Sequence, residues 1–174
     1  MGGSTNQDGA AGCFELPIRS VVQIDDTDVA IVEMLQADGR IPASELGRRI
    51  GLSQPATSER LKRLEEKGVI AGYCAVIDTA RLGLGVMAII RVKTTHEHIR
   101  SCLKQFAEMP EVIEVYRLTG EDCFHLKVIV PTPAQLERIV DATARFGSVT
   151  TSLVLRSEDR KPIGAALIDT ARRA

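Results

Sequence analysis

The side chains best suited to bind a phosphate backbone are concentrated between residues 40 and 63. This segment holds six basic residues and two acidic ones, whereas residues 1–38 hold one basic residue and seven acidic ones. It also holds Gln, Ser, Glu and Lys side chains, which can hydrogen-bond to base edges in the major groove of DNA, while its arginines can bind phosphates. A basic stretch alone is more often an ordinary solvated helix face, so the structural context has to decide between the two interpretations.

The residue types that perform catalysis or bind metals form no recognisable constellation. The histidines give only a His96-x-His98 pair and the separate His125, and a single HxH lacks the further ligands of a zinc site. The four cysteines form no CxxC pair, which disfavours both zinc and a disulfide framework. Cys123, next to Asp122, is either a redox-sensing thiol or a small buried strand residue, and we favour the second. The sequence therefore indicates no enzyme, no metal site and no cofactor.

The composition is that of a globular protein with an aliphatic core. Of the 174 residues, 44% are apolar and 26% are charged; aromatic residues make up 3%, and tryptophan is absent. So few rings argue against a sugar cleft or a stacking platform for single-stranded nucleic acid. The longest apolar run, residues 83–90, is far shorter than a membrane span, and the first twenty residues resemble no targeting signal. We expect a cytoplasmic protein with no membrane contact.

Three short helices are predicted in the first half of the chain, over residues 25–37, 42–51 and 53–67. Each begins at a residue suited to a helix N-terminus, and Gly51 ends the second because glycine adopts the left-handed conformation at low cost. Ser53 caps the third helix almost immediately afterwards. Two helices joined by so tight a turn, preceded by another helix, are typical of the helix-turn-helix motif.

The third helix has one face suited to packing and another suited to DNA. Thr57, Leu61 and Leu64 lie within a narrow arc and are predicted to face the other two helices. The opposite arc carries side chains that can read bases, and arginines on its flanks can hold phosphates. The alternative is an ordinary amphipathic surface helix. The residues predicted to contact DNA are Arg48, Arg49, Ser53, Gln54, Pro55, Ser58, Glu59, Arg60, Lys62 and Arg63.

The second half of the chain repeats a pattern of strand, helix and strand. Capping boxes at Thr94-x-x-Glu97 and Thr132-x-x-Gln135 predict where its two helices begin. The order βαββαβ is that of a ferredoxin-like domain, with both helices on one face of a four-stranded sheet. A sheet face left bare would expose a large aliphatic patch, so self-association is expected. The predicted strands span 72–77, 83–93, 112–118, 123–130 and 149–156, the first of them preceding a linker, and the predicted helices span 94–109 and 132–147.

Short motifs spread along the chain carry a family resemblance. They are Ile24-Asp25-x-x-Asp28, Asp38-Gly39-Arg40, Leu52-Ser53, Arg60-x-x-Arg63-Leu64-Glu65, Gly68-Val69-Ile70, Gly72-Tyr73 and Thr119-Gly120-Glu121. With these motifs the sequence resembles the Lrp/AsnC family of feast/famine transcriptional regulators from about Ile24 to Arg156. The resemblance implies an α+β protein with an N-terminal helix-turn-helix (winged-helix-like) domain and a βαββαβ (RAM/ACT-like) domain that senses an amino acid. It also implies homodimers that assemble into octamers or larger particles on double-stranded DNA.

In that family, the glycine-bearing hairpin loop helps to form an effector pocket between dimers, and an aspartate usually follows the glycine three residues later. Here that position holds Cys123, and the acid is shifted to Asp122. Glycine lets a ligand approach the backbone closely, while a nearby acid can bind an ammonium group. A plain hairpin turn is the alternative. The predicted effector-binding residues are Thr119, Gly120, Glu121, Asp122, Cys123, Thr150 and Ser152.

The predicted organisation has five parts. A flexible extension (1–22) precedes the DNA-binding domain (23–70), and a strand with a linker (71–82) leads to the effector-binding and oligomerisation domain (83–157) and a flexible tail (158–174). We expect a sequence-specific regulator that responds to a small effector. The alternative is a nucleoid-organising protein that packs DNA and senses no ligand, because both would use the same fold.

Overall fold

The computed structural model describes residues 21–158 and 160–173. The predicted extension over residues 1–22 therefore lies almost wholly outside the described residues. Contacts divide the chain into two compact units at Cys74/Ala75 and at Arg160/Lys161, and the last residues belong with the first unit. Among the described helices, none combines the length and the apolar character needed to cross a bilayer.

Three helices begin the first unit, and their ends follow the local chemistry of the chain. They are α1 (Asp26–Ala37), α2 (Ala43–Ile50) and α3 (Gln54–Glu66). Asp25 and Asp28 form a reciprocal capping box on α1, and Ser53 caps α3. The predicted three-helix pattern is confirmed. Its core consists of Ile31, Leu46 and Leu64.

The second unit is a four-stranded antiparallel sheet with two helices. Its elements are β1 (Val86–Thr94), α4 (Ile99–Glu108), β2 (Val112–Arg117), β3 (Phe124–Val130), α5 (Pro133–Ala144) and β4 (Gly147–Leu153). The strand order is β2-β3-β1-β4. The predicted ferredoxin-like βαββαβ arrangement is confirmed.

The two faces of this sheet differ in character. Ala88, Ile90 and Val92 of β1 are fully buried against side chains of α4 and α5, such as Phe106 and Ile139. Residues at alternating positions lie on the other face, where most side chains are polar or charged. The prediction of a bare aliphatic face is therefore wrong. The polar and charged side chains of this face are Arg91, Lys93, Glu114, Tyr116, His125, Lys127, Ser148, Thr150 and Ser152.

Two local predictions also need correction. Residues 72–77 form no strand, because they pair with no other strand in the described chain and their side chains are exposed. Thr94 does not begin a helix. It ends β1, and its hydroxyl donates a hydrogen bond to the Phe146 carbonyl at 2.6 Å. A short 3₁₀ turn at His96–His98 leads into α4 instead.

The tail predicted to be flexible contains a sixth helix, α6 (Ala165–Arg172). It belongs to the first unit and packs beside α1. The sequence prediction failed here because the contacts that order this segment come from residues more than a hundred positions earlier in the chain.

Candidate functional site

The tight connection between α2 and α3 depends on Gly47. A Cβ at this position would lie 2.6 Å from the Thr57 hydroxyl oxygen and 2.7 Å from the Leu52 carbonyl oxygen. Cβ atoms in folded proteins do not approach other heavy atoms so closely, so only glycine fits here. Thr57 is fully buried and donates its hydroxyl hydrogen to the Ser53 carbonyl at 2.9 Å. This confirms Thr57 as a packing residue. The sequence analysis missed Gly47, although a glycine inside a predicted helix is a signal of close packing.

The outward face of α3 is a continuous row of exposed polar groups. Gln54, Pro55, Ser58, Glu59 and Lys62 are all exposed. The Lys62 ammonium lies 3.6 Å from the Glu66 carboxylate, but both side chains are largely in solvent, so this pair holds the lysine weakly. The structure thus brings together the central residues of the predicted DNA-binding set on one surface. We call this surface the α3 face.

Arg48 and Arg49 lie at the C-terminal end of α2 and share one carboxylate. Both guanidinium groups hydrogen-bond to Glu45, at 2.8 and 2.7 Å. The hydrogen bonds from Arg48 and Arg49 lower the pKa of Glu45 to about 2. Both arginine side chains remain more than half exposed. They present positive charge to solvent, and their predicted contact with DNA stays a prediction.

Arg60 and Arg63 are held within the molecule by the N-terminus of α1. Arg60 Nη1 lies 2.7 Å from an Asp25 carboxylate oxygen and 2.8 Å from Asp28 Oδ1. Arg63 Nη2 lies 2.9 Å from Asp28 Oδ2. Asp28 is 2% exposed, so both guanidinium groups neutralise a buried carboxylate. We call these four residues the aspartate–arginine cluster.

The aspartate–arginine cluster gives its residues roles that the sequence analysis did not assign. The hydrogen bonds from the Arg60 side chain and from the Asp28 amide hold the pKa of Asp25 below its usual range. The Asp28 carboxylate joins α1 to α3 through its hydrogen bonds with Arg60 and Arg63. A signal was present, since an Asp-x-x-Asp spacing in one helix matches an Arg-x-x-Arg spacing in another.

A second group of charged side chains surrounds the hairpin between β2 and β3. Gly120 has a φ of 108°, a backbone conformation that favours glycine. Lys93 of β1 forms an ion pair with Glu121, and Arg91 Nη1 lies 3.4 Å from Asp122 Oδ2. The hydrogen bond between Lys93 and Glu121 lowers the pKa of the carboxyl and raises that of the ammonium group. The sequence analysis missed both cations.

The strand register places most of the predicted effector residues near this charge group. Thr150 lies directly across from Arg91, and Ser152 lies across from Ile89, both on the polar face of the sheet. His125 lies across from Arg91 on the other side. We call Arg91, Lys93, Glu121, Asp122 and Thr150 the hairpin charge cluster.

Cys123 lies beside the hairpin charge cluster and packs against the hydrophobic core. Its thiol lies 3.2 Å from the Thr94 carbonyl. Cys123 precedes β3 and is half-buried, so it is not the buried strand residue that the sequence predicted. Its packing against the core still favours a structural role over that of a redox-sensing thiol. Thr119 is exposed at the start of the hairpin and has no hydrogen bond to another described side chain. Cys123 thus differs from its neighbour Asp122, which pairs with Arg91, in packing against the core.

Comparisons with known protein families match both units. A model described as winged helix-turn-helix DNA-binding matches residues 24–71, and a model described as the Lrp/AsnC ligand binding domain matches residues 87–162. The uncharacterised HTH-type transcriptional regulator YezC of Bacillus subtilis is 38% identical over 143 residues, which are 80% of this chain and 99% of YezC. The leucine-responsive regulatory protein of Rhizobium meliloti is 33% identical over 142 residues, which are 78% of this chain and 91% of that protein.

Solved structures agree with these matches. The structure of LrpC from Bacillus subtilis superposes with a TM-score of 0.75 at 28% identity, over 80% of this chain and 100% of LrpC. The transcriptional regulator NMB0573 from Neisseria meningitidis, solved as an L-Met complex, gives a TM-score of 0.76 at 27% identity, over 85% of this chain and 99% of that one.

Proposed function

This chain belongs to the Lrp/AsnC family of helix-turn-helix transcriptional regulators, and from that premise we propose that a free amino acid, bound at the hairpin charge cluster, controls its binding to DNA. It is a regulator with a ligand-binding domain, not an enzyme. The proposal therefore concerns which ligand chemistry the second unit accepts and which side chains of the first unit contact DNA.

Within this proposal, the α3 face enters the major groove of double-stranded DNA. Gln54, Ser58, Glu59 and Lys62 read base edges, with Pro55 beside them and Ser53 at the helix start. Arg48 and Arg49 bind phosphates from the end of α2. Arg60 and Arg63 act as positioning residues that fix α3 against α1, because their guanidinium groups are occupied by Asp25 and Asp28.

The observation that carries the effector proposal is the presence of two cations and two carboxylates in one exposed group. An amino acid carries one carboxylate and one ammonium group, so its recognition requires charges of both signs at close range. Arg91 and Lys93 can bind the carboxylate, while Glu121 and Asp122 can bind the ammonium group. Without a ligand, these side chains satisfy one another, and the ligand would replace each internal pair with a pair of its own.

The remaining predicted residues assist the proposed site. The exposed backbone of Thr119 and Gly120 leaves room for a ligand, since a Cβ on Gly120 would meet no atom within 4 Å. Thr150 adds a hydroxyl beside Arg91, and Ser152 lies further along the same strand. The L-Met complex of NMB0573 supports an amino acid as the class of ligand.

The proposed assembly is a cytoplasmic homodimer that associates further into an octamer or a larger particle on DNA. Two α3 helices of a dimer would enter successive major grooves roughly 34 Å apart, which suits a pseudo-palindromic site. A ligand then regulates DNA binding to the extent that it binds one assembly or conformation better than another. A nucleoid-organising protein without an effector is the second candidate, and the experiment below separates the two.

The test is a thermal-shift screen of the twenty amino acids, followed by calorimetry with the one that stabilises the protein. A ligand present at 100 times its Kd should raise the free energy of unfolding by about 2.7 kcal/mol. Asp122→Asn, which removes one carboxylate with little change in shape, should weaken the affinity about tenfold. The matched control is Asp78→Asn, whose carboxylate is paired with Arg81 outside the hairpin charge cluster. No stabilisation by any amino acid would favour the DNA-packing candidate.

A further inference from the structure

The last described residues of the chain lie on α1 through contacts to their backbone. The Gln36 side-chain amide donates a hydrogen bond to the Ile163 carbonyl at 3.0 Å and accepts one from the Ile163 amide at 2.8 Å. Glu33 Oε1 accepts a hydrogen bond from the Ala165 amide at 2.8 Å and so caps α6. Together these contacts fix the position of residues 163–165 along α1.

The other end of α6 is fastened to the N-terminus of α1 by Arg172. Its guanidinium donates a hydrogen bond to the Ile24 carbonyl at 2.7 Å and lies 3.1 Å from an Asp26 carboxylate oxygen. The two partners have complementary charge: residues 24–38 hold five acidic residues and no basic one, whereas residues 161–173 hold three basic residues and one acidic one. Electrostatic attraction therefore favours the docked arrangement.

The docked segment is held loosely. No residue of α6 is buried, and Ile163 and Leu167 are 55% and 58% exposed. Beside Ile163, a cleft of about 310 Å³ between α1 and residues 69–73 remains open. An eight-residue helix is not stable in water by itself, so the segment loses its helical structure when it leaves α1. So little burial is typical of segments that open locally at low cost in free energy.

The point where Arg172 attaches is also the point from which α1 holds α3. Ile24 and Asp26 flank Asp25, whose carboxylate binds Arg60, and Asp28 follows within the same turn. If this first turn of α1 becomes more mobile, the positions of Asp25 and Asp28 in the aspartate–arginine cluster change with it.

We propose that residues 161–173 form a detachable strap that regulates DNA binding by fastening the N-terminus of α1 and, through the aspartate–arginine cluster, α3. The match to the Lrp/AsnC ligand binding domain ends at residue 162, so almost all of the strap lies beyond it. The strap is also independent of the amino-acid site proposed above, because each of its contacts lies within the first unit.

Hydrogen–deuterium exchange on the full chain tests the docking. Arg172→Ala removes the attachment, while Arg173→Ala removes the same charge from a residue for which the described chain shows no hydrogen bond or ion pair. We expect Arg172→Ala to speed amide exchange in residues 24–29 and 161–173 severalfold, and Arg173→Ala to leave it near wild type. Equal exchange in the two variants overturns the proposal.

DNA affinity tests the regulatory part. A duplex is selected from a randomised pool by the wild-type chain, and its binding is measured by fluorescence anisotropy at fixed salt. Arg172→Ala should bind it about threefold to tenfold more weakly than Arg173→Ala does, a typical effect of a residue that acts through its neighbours. Faster exchange with unchanged DNA affinity overturns the regulatory role. Failure of the wild-type chain to select any duplex would count against the proposed DNA contacts, and exchange alone would then decide the docking.

Discussion

At the scale of single residues, Asp28 connects two helices of the first unit. Its carboxylate is almost fully buried and accepts hydrogen bonds from both Arg60 and Arg63. A buried carboxylate is tolerated only when it is neutralised, and these arginines in turn are restricted to one side of α3. One side chain thereby sets the orientation of the helix that carries the α3 face.

Asp28→Asn should lower the free energy of unfolding of the first unit by about 2 kcal/mol. The charge that two guanidinium groups neutralise would be lost, although partial exposure of both arginines moderates the cost. Chemical denaturation followed by helical circular dichroism measures the change. The control Glu59→Gln alters an exposed carboxylate on α3 and should cost less than about 0.5 kcal/mol. Equal stability of the two variants would contradict the assigned role of Asp28.

At the scale of elements, the cations of α3 have two different roles: one faces solvent and two bind α1. Lys62 belongs to the α3 face and forms a weak ion pair with Glu66, whereas Arg60 and Arg63 are bound to α1. The helix can therefore change its base contacts without changing how it packs. Helix composition predicts DNA contacts for all three cations, whereas the structure shows Arg60 and Arg63 paired with carboxylates of α1.

Lys62→Ala should relax sequence preference while leaving the first unit folded. A lysine in contact with a base edge contributes discrimination of about 1 kcal/mol or more, so the ratio of affinities for selected and random duplexes should fall at least fivefold. Lys67→Ala, at the exposed end of the same helix, removes an equal charge. It should weaken both duplexes alike. An unchanged ratio for Lys62→Ala would assign base recognition to other residues.

The elements that could be predicted from sequence are those whose ends are determined locally. Asp25, Ser53 and Thr132 cap their helices as predicted, and Gly51 ends α2 in the left-handed conformation. The failures have a common cause in distant contacts. Thr94 hydrogen-bonds to a residue 52 positions away instead of capping a helix, and the order of α6 depends on α1. The hairpin loop was predicted, but the cations that pair with it belong to β1.

At the scale of the whole molecule, one face of the four-stranded sheet carries no helix, and most of its side chains are polar. Hydrophobic burial alone therefore gives weaker support for a dimer than the sequence suggested. An exposed apolar surface lies instead at and beyond the end of β4, where Leu153 is 57% exposed and Leu155 is 97% exposed. Exposed apolar surface of this kind favours association with another chain. We propose that these leucines belong to the surface through which the chains associate.

Sedimentation of the full chain at micromolar concentration should give a dimer or a larger species. Leu153→Asp should shift the equilibrium toward monomer by at least tenfold, because it places a charge in the surface that association would bury. The control Leu103→Asp puts the same charge on the exposed part of α4 and should leave the sedimentation pattern unchanged. A wild-type chain that sediments only as monomer would contradict the proposed assembly.

The first unit is built from two stretches of chain, residues 21–74 and 161–173, with the entire second unit between them in the sequence. A ribosome therefore delivers α1, α2 and α3 first, then the complete sheet domain, and α6 last. Domains generally fold as they emerge during synthesis, so the sheet domain can fold before the helical unit has received its final helix. In a nascent chain, α3 is therefore present before α6 can pack beside α1, and the helical unit reaches its final form only after α6 has left the ribosome.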